Sequence, residues 1–237
     1  MEKKTLQTML APSLSIIIPV YHEKVIINTL ITLIKQQYCD EAYEIIVVDG
    51  SPQCDTIQAI SFRDVIKIAA EYGRGRQLNA GAAIARGNKL LFLHADTKLP
   101  EDGLKTVIKN LTNEKVFAGA FDIQIDSVKW RFRILSRMIS LRARIRRLPF
   151  GDQAHFFTRN YFDKIGGYPN IAIMEDLEIM RRIKKRGDPI IILKKSVYTS
   201  PRRWATEGII RGTLRNWFIR TRYYFGEKPE RLEKYYN

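Results

Sequence analysis

The chain has 237 residues, of which 45% are hydrophobic and 11% aromatic, a composition that can build a full core and excludes a disordered chain. Its 40 basic and 25 acidic residues give a formal net charge of +15, well beyond the roughly 2–8 charges that keep a small domain soluble, so we expect a phosphate-bearing partner: a nucleotide, a nucleic acid or an anionic lipid surface. Cys39 and Cys54 match no zinc or redox spacing, and we find neither a signal peptide nor the about 18 apolar residues of a spanning helix. We therefore expect a reduced, cytoplasmic chain that is either soluble or peripheral on the inner face of the cell membrane.

Short apolar runs alternate with helical patterns in the first part of the chain. The runs are rich in β-branched residues and predict buried parallel strands, whereas apolar residues at helical spacing predict helices between them. The predicted strands are Leu14–Val20, Glu44–Val48, Val65–Ala69 and Leu90–Leu93, and the predicted helices are Lys24–Gln37 and Arg76–Ala85. This order predicts an α/β fold with an open, mainly parallel sheet flanked by helices, in which ligands bind beyond the carboxyl ends of the strands. Tyr21, Asp49 and Asp96 lie at those ends.

The rest of the chain is less regular. The predicted strands there are Val116–Ile123, Ala154–Phe157 and Ile190–Leu193, and the predicted helices are Trp130–Leu148, Glu175–Arg186 and Thr206–Tyr224. Because we find no internal repeat, low-complexity tract or clear linker, we expect a single domain over residues 1–237.

Two features of the first part suggest phosphate and metal chemistry. Asp96 follows an apolar strand, where its carboxylate could bind a hard cation such as Mg²⁺ or Mn²⁺, although an Asp-Thr pair before a proline is also ordinary turn chemistry. Gly73-Arg74-Gly75-Arg76 precedes a predicted helix, with Asn79 one turn later. Glycines permit close backbone approach and arginines pair with phosphate, whereas the alternative is a solvated basic loop.

Weaker signals follow in the second part. Glu175-Asp176 opens a helix, where the acids either complement the helix dipole or include a general base for an acceptor hydroxyl. Gly151-Asp152-Gln153 and Arg202-Arg203-Trp204 are each weak by themselves, since a turn and a basic loop with a packed tryptophan explain them equally well.

Five segments together resemble glycosyltransferase family 2, and most of all a small bacterial subgroup of single-domain members. They read IIIPVYHE at 16–23, VVDGS at 47–51, GRGRQLNAGAAIARGNKLLFLHADT at 73–97, GDQ at 151–153 and MED at 174–176, in the family's order and rough spacing. The resemblance implies a GT-A fold, a nucleotide-diphosphate sugar donor (UDP-sugar favoured), a divalent metal and inversion at the anomeric carbon. It implies a glycosyltransferase of the hexosyltransferase type, with a donor half at about 13–97, an acceptor and catalytic half at about 98–204 and a C-terminal helical tail at 205–237.

The resemblance also implies roles for single residues. On the donor side these are the first-loop residues Pro19, Tyr21 and Glu23, the base or ribose contact Asp49, and the nucleotide and diphosphate contacts Arg74, Arg76 and Asn79. Asp96 matches the second acid of the family's Asp-x-Asp motif and would hold the metal, Mn²⁺ or Mg²⁺. Asp176 matches the general base, with Glu175 as the less favoured choice. The acceptor side would include Gly151, Asp152, Gln153, Arg203 and Trp204.

Two positions depart from the family pattern. His94 stands where the first acid of Asp-x-Asp is usual, so it either binds metal or packs against its neighbours. Ser200 replaces the glutamine of the Gln-x-x-Arg-Trp motif of processive members. With no transmembrane helix following it, we expect that the enzyme does not extrude a polymer.

The segment from Arg131 to Arg147 contains seven arginines. Ile134, Met138, Leu141 and Ile145 form one apolar stripe, and Arg133, Arg137, Arg144 and Arg147 contribute to a basic face. Such a helix either contacts an anionic membrane, near a lipid-linked acceptor, or packs its stripe into the core beside a soluble acceptor.

Two other functions compete with this interpretation. A basic nucleic-acid-binding domain without catalysis would explain the charge and the interleaved aromatic residues, but not acids at successive strand ends, so we expect no nucleic-acid partner. A nucleotidyltransferase would share the fold style and the metal, but no glycine-rich nucleotidyl signature stands near the first strand.

Overall fold

The computed structural model describes residues 11–235, without the side chains of residues 203, 205 and 210. This part of the chain forms an eight-stranded sheet in the order β3-β2-β1-β4-β7-β6-β8-β5. The strands are β1 Leu14–Val20, β2 Tyr43–Asp49, β3 Ile66–Ala69, β4 Lys89–Phe92, β5 Thr97–Lys98, β6 Ala118–Ile125, β7 Phe156–Thr158 and β8 Ile191–Thr199.

The first four strands form the parallel half of the sheet, with β1 between β2 and β4. Side chains alternate between the two faces of β1, and each face has its own core. Ile16 and Ile18 pack on one side with helix residues such as Ile27, whereas Ile17 packs on the other side with Leu78. Burial on both faces explains why these strands are continuous apolar runs.

The second half inserts antiparallel strands. β7 runs antiparallel to both β4 and β6, β6 pairs with β8 in parallel, and β5 closes the edge antiparallel to β8. The sheet is therefore mixed but mainly parallel, and the predicted α/β fold class is confirmed.

Helices cover the sheet. They are α1 Ile27–Gln36, α2 Asp55–Gln58, α3 Arg74–Ile84, α4 Gly103–Leu111, α5 Trp130–Arg146, α6 Arg159–Lys164, α7 Glu175–Lys185, α8 Arg202–Glu207, α9 Ile209–Tyr224 and α10 Pro229–Leu232, with 3₁₀ turns at Gly151–Gln153 and Glu233–Tyr235. None of the helices in the described range is long and apolar enough to cross a bilayer.

The predicted helix Thr206–Tyr224 is present as α9 with the predicted end, but it begins at Ile209, because the chain breaks at Gly208 and the residues before it belong to α8. Gly208 has a φ of 82° and a ψ of 145°, a conformation open to glycine and strained for other residues. The break turns α9 so that Ile219 is buried beside Ile173 and Leu232.

Helix α5 turns its predicted apolar stripe outward. Its core face is formed instead by Phe132, Leu135 and Ala143. The stripe residues are exposed by 47% at Ile134, 62% at Met138, 59% at Leu141 and 74% at Ile145. The alternative in which this stripe packs into the core is therefore wrong.

One member of the predicted basic face of α5 also lies elsewhere. Arg144 points toward the sheet, where Nη2 donates to Asp122 Oδ2 at 2.6 Å and to the carbonyl oxygen of Leu193 at 3.0 Å. Its side chain anchors the helix to β6 and β8 and does not contribute to a solvent-facing basic surface.

Candidate functional site

Two adjoining cavities open beyond the carboxyl ends of β1 and β4. The first cavity has a volume of about 340 Å³ and is lined by Pro19, Val20, Tyr21, Glu23, Tyr72, Gly73, Arg74, Gln77, His94, Ala95, Asp96, Ala172, Ile173, Glu175 and Glu233. The second cavity has a volume of about 170 Å³ and is lined by Arg74, His94, Asp96, Phe150, Asp152, Met174, Asp176, Thr199, Ser200, Trp204, Asn216 and Arg220. Arg74, His94 and Asp96 line both, so they form the wall that the two cavities share.

Asp96 presents a partly exposed carboxylate on this shared wall. Its carbonyl oxygen accepts the N–H of Ser200 at 3.1 Å, which fixes its backbone. Within residues 11–235, the one hydrogen bond to its side chain is a long one of 3.3 Å from the hydroxyl of Thr97. Burial, and further the nearby charge of Asp96, raise the pKa of Glu23, although Arg202 opposes this rise. The shared wall therefore holds one weakly engaged carboxylate, Asp96, and Glu23 lies near it in the first cavity.

The shared wall suits a divalent metal that is held by few protein ligands. No cluster of three or more His, Cys, Asp or Glu side chains with metal-binding spacing occurs within residues 11–235. Mg²⁺ in phosphate-handling sites is commonly held by one or two carboxylates together with substrate phosphates and water. The loosely bonded Asp96 carboxylate suits that arrangement.

Arg74 and Glu175 form an ion pair in the lining of the first cavity. The guanidinium Nε of Arg74, at the start of α3, donates to Oε1 of Glu175, at the start of α7. Glu175 is almost completely buried, and burial raises its pKa despite the charge of Arg74. Its carboxylate holds Arg74 against the shared wall.

Asp176 faces the second cavity instead. Burial favours its neutral form, but the charge of Arg74 and the N–H of Gly151 outweigh burial and lower the pKa of Asp176. That N–H lies 2.8 Å from Oδ2 of Asp176. The backbone of Gly151 packs closely on the site, because a Cβ at this position would lie 3.1 Å from Nε2 of His94 and 3.3 Å from Oδ2 of Asp176. The site therefore contains an ionised carboxylate beside a cavity.

Comparison with known proteins identifies the family. The sequence model of Glycosyl transferase family 2 matches residues 15–169, more than half of the chain. This chain belongs to glycosyltransferase family 2. The predicted family is confirmed, and the match includes the shared wall and the Gly151-Asp152-Gln153 turn.

Known relatives are distant and longer than this family 2 chain. A probable glycosyltransferase, YdaM of Bacillus subtilis, is 25% identical over 202 residues, which cover 74% of this chain and 47% of YdaM. An uncharacterized protein of Mycobacterium tuberculosis, MT1568, is 29% identical over 130 residues, which cover 52% of this chain and 40% of that protein. The chain thus spans less than half the length of these curated relatives.

Solved glycosyltransferases share the fold. The mannosyltransferase PcManGT from Pyrobaculum calidifontis, in complex with GDP-Man and Mn²⁺, superposes with a TM-score of 0.62 at 19% identity over 90% of this chain and 61% of its own. S. aureus TarS 1–349 in complex with UDP-GlcNAc gives a TM-score of 0.61 at 16% identity, covering 79% of this chain and 58% of TarS 1–349. These similarities confirm the GT-A fold.

Several residues expected in the family 2 site line neither cavity. Asp49 is fully buried and accepts the backbone N–H groups of Ser51 at 2.8 Å, Thr56 at 3.0 Å and Ile57 at 3.2 Å. The carboxylate therefore shapes the loop after β2, and its expected contact with base or ribose stays a prediction.

The three predicted phosphate contacts, Arg74, Arg76 and Asn79, also differ in whether they line a cavity. Arg76 points away from the cavities and bonds to Asn170 and Glu71. Asn79 exchanges two hydrogen bonds with the backbone of Tyr168, at 2.8 and 3.0 Å. Of the three predicted phosphate contacts, the structure brings Arg74 alone to the cavity walls.

The acceptor-side residues divide likewise. Asp152 and Trp204 line the second cavity, whereas Gln153 is buried and bonds to the backbone of Phe121 and Phe150 at 2.9 and 3.1 Å. The side chain of Arg203 lies outside the described residues.

Sequence reasoning missed two other groups of residues in the family 2 site. Gln77 donates to the carbonyl oxygens of Val20 and Val48, both at 2.8 Å, and so joins the ends of β1 and β2 under the first cavity. Arg142 and Arg220 both lie over the Phe150 ring beside the second cavity, with Cζ atoms 3.5 and 5.3 Å from its centroid. The seven arginines from Arg131 to Arg147 predicted a basic outer face. No pattern in the sequence indicated that one of them, Arg142, points inward.

Proposed function

We propose that this chain transfers a sugar from a nucleotide-diphosphate sugar, preferentially a UDP-sugar, to an acceptor hydroxyl. The donor occupies the first cavity and the acceptor the second. The observation that carries this proposal is the shared wall, where a carboxylate and an arginine stand between the two cavities while Asp176 faces only the second. The GDP-Man and UDP-GlcNAc in the two similar structures support a nucleotide-sugar donor.

The residues of the first cavity suit a nucleoside diphosphate. The rings of Tyr21 and Tyr72 lie 5.2 Å apart at the cavity, where apolar surface is available to a base or ribose. Arg74 lies at the start of α3, so its guanidinium and the helix N-terminus both favour the negative charge of the diphosphate. These residues support a donor half at about 13–97, to which Ala172, Ile173, Glu175 and Glu233 add part of the cavity lining.

Asp96 is the residue that would hold a divalent metal, Mn²⁺ or Mg²⁺. Such a metal neutralises charge on phosphate oxygens of a leaving nucleoside diphosphate. The Mn²⁺ of the PcManGT complex supports this choice of ion. His94 lies on the same wall and lines both cavities.

Asp176 acts as the general base. Its lowered pKa keeps it ionised near neutral pH, so it can take the proton of an acceptor hydroxyl in the second cavity. The acceptor oxygen forms a bond to the anomeric carbon as the bond from that carbon to the diphosphate oxygen breaks. Attack from the cavity opposite the leaving group inverts the anomeric configuration. Glu175 is less suited because Arg74 occupies its buried carboxylate.

A peripheral membrane position accompanies this activity. The exposed stripe of α5 (Ile134, Met138, Leu141 and Ile145) is bordered by the exposed Arg133 and Arg137. Apolar groups flanked by arginines suit an anionic lipid surface. A lipid-linked acceptor would reach the second cavity from that side, since α5 also carries Arg142.

Asp96→Asn tests the proposal through donor binding. Thermal shifts with UDP-, GDP- and dTDP-sugars, with and without Mn²⁺, should show a metal-dependent stabilisation in the native chain. The variant should lose that metal-dependent part and keep its ligand-free melting temperature, because the Asp96 side chain makes one weak hydrogen bond to the part of the chain that the structure describes. Asp64→Asn, an exposed carboxylate paired with Lys35, is the matched control. An undiminished metal-dependent shift in Asp96→Asn would contradict the assignment.

A further inference from the structure

The second cavity carries positive charge that the proposed transfer chemistry does not use. Arg220, on α9, lines the cavity, and Arg142, on α5, lies behind it. The Cζ atoms of their guanidinium groups lie 5.3 and 3.5 Å from the centroid of the Phe150 ring. Two arginines from different helices therefore converge on one aromatic ring at the cavity wall.

Neither guanidinium is neutralised by an ion pair within the described residues. Nε and Nη2 of Arg142 are buried and lack a hydrogen-bond partner. Arg220 bonds through Nε to the carbonyl oxygen of Asn216 in its own helix, at 3.1 Å. Burial and the charge of Arg220 lower the pKa of Arg142 to about 10, which still leaves it charged near neutral pH.

Buried cations without partners are costly, and a stable fold keeps them where a ligand completes them. The nearest acids do not fill this role: Asp176 is engaged by the N–H groups of Gly151 and Leu177, and Oδ1 of Asp152 is itself buried without a partner. The charges of Asp152 and Asp176 act on Arg142 without an ion pair or hydrogen bond to it within the described residues, so N–H groups at the cavity remain for an added anion.

We propose that the Arg142–Phe150–Arg220 cluster binds a phosphate or other oxyanion on the acceptor, so that the acceptor carries an anionic group close to the hydroxyl that receives the sugar. The assignment rests on the proposed function, because it uses the second cavity as the acceptor site. Planar guanidinium groups suit such oxyanions through paired N–H donors. The anion is either part of a lipid headgroup or of a soluble phosphorylated compound.

The test is calorimetric binding with the donor site saturated by UDP and Mg²⁺. The probes are glycerol 3-phosphate, its uncharged match glycerol, and a short-chain alkyl phosphate. The native chain should bind both phosphates and not glycerol. Arg142→Gln/Arg220→Gln should weaken phosphate binding about tenfold or more, with unchanged UDP affinity. Arg137→Gln/Arg211→Gln removes two exposed arginines from the same helices and should change neither affinity.

The outcomes separate the two proposals. Equal binding of glycerol and glycerol 3-phosphate, or phosphate binding that survives Arg142→Gln/Arg220→Gln, overturns the anionic acceptor site. Absence of UDP binding by the native chain contradicts the donor proposal, while arginine-dependent phosphate binding would still support the cluster. Preference for the alkyl phosphate favours a lipid source, and preference for glycerol 3-phosphate a soluble one. If the double variant unfolds, Arg220→Gln is compared with Arg220→Lys, which should restore part of the binding.

Discussion

At the scale of single residues, the pKa values of two neighbouring carboxylates, Asp152 and Asp176, are shifted in opposite directions. Burial and the charge of Asp176 raise the pKa of Asp152 to about 6. Asp176 is partly buried, which by itself would raise its pKa, but Arg74 and the N–H of Gly151 outweigh this and lower the pKa. Two interacting acids with opposite shifts provide one ionised base and one acid that accepts a proton just below neutral pH.

Asp152→Asn should stabilise the protein at alkaline pH. An unfolded aspartate titrates near about 3.9, so the folded state, with a pKa of about 6, binds this proton more tightly. Stability contributed by the protonated group is therefore full below the unfolded pKa and is lost as pH rises through the folded pKa. The variant, which cannot ionise, should gain on the order of 2 kcal/mol at about pH 8 and much less near about pH 4.

Chemical denaturation in EDTA at both pH values measures this difference. Metal is excluded because a cation near Asp96 would also interact with Asp152. Equal stability of the native chain and Asp152→Asn at the higher pH would show that the carboxylate is not disfavoured by burial.

The sequence predicted the acids of the site better than its cations. Asp96 and Asp176 follow from local rules, since one ends an apolar strand and the other begins a helix. Asp49 obeys the same rule, yet its side chain turns into the loop, where three backbone N–H groups bind it. Arg142 has six other arginines within its segment, and spacing alone does not distinguish the one that turns inward.

At the scale of elements, α5 and α9 meet near the second cavity, which α9 lines through Asn216 and Arg220. Trp130 and Ile134 of α5 share a surface cavity with Ile209 and Arg211 of α9, and Arg142 and Arg220 meet further along at Phe150. On their outer sides both helices expose apolar side chains, such as Met138 on α5 and Trp217 on α9. The inner sides of α5 and α9 thus place arginines at Phe150 beside the second cavity, whereas their outer sides expose apolar side chains to solvent.

Vesicle flotation tests whether this outer side contacts lipid. The native chain should float with anionic vesicles at low salt, less at high salt, and not with neutral vesicles, because each basic residue near the surface contributes about 1 kcal/mol. Leu141→Ser/Ile145→Ser should weaken binding roughly tenfold or more, since both side chains are mostly exposed and would enter the interface. Tyr38→Ser, 72% exposed after α1, is the control.

Absence of flotation with anionic vesicles at low salt would contradict the membrane proposal. Concentration-dependent dimerisation that Leu141→Ser/Ile145→Ser abolishes would assign the stripe to a second copy instead. Neither result would bear on the family assignment.

Element prediction succeeded where the pattern was local. The four parallel strands appear within about two residues of their predicted ends, because their burial on both faces is visible as continuous apolar runs. The two-residue β5 and the antiparallel position of β7 depend on tertiary pairing, which no local pattern reports. Gly208 was a visible break signal inside the predicted C-terminal helix, and its backbone conformation separates α8 from α9.

At the scale of the whole molecule, the basic residues behind the net charge of +15 lie in different places. Arg74 lies on the wall between the two cavities, Arg142 and Arg220 lie at Phe150 beside the second cavity, and Arg144 attaches α5 to the sheet. The sheet brings these groups together because its parallel and antiparallel halves meet at β4 and β7. The composition alone predicted a phosphate-bearing partner, but it did not predict where the individual arginines lie.

The most direct measurement of the central claim is the rate of nucleoside-diphosphate release from a donor sugar by the native chain, Asp176→Asn and Glu175→Gln. Release to water needs no known acceptor and still requires a base in the second cavity. We expect Asp176→Asn to bind the donor with native affinity and to release product about 10²–10⁴-fold more slowly, whereas Glu175→Gln weakens donor binding by freeing Arg74. Native turnover by Asp176→Asn, with loss of turnover confined to Glu175→Gln, would contradict the account.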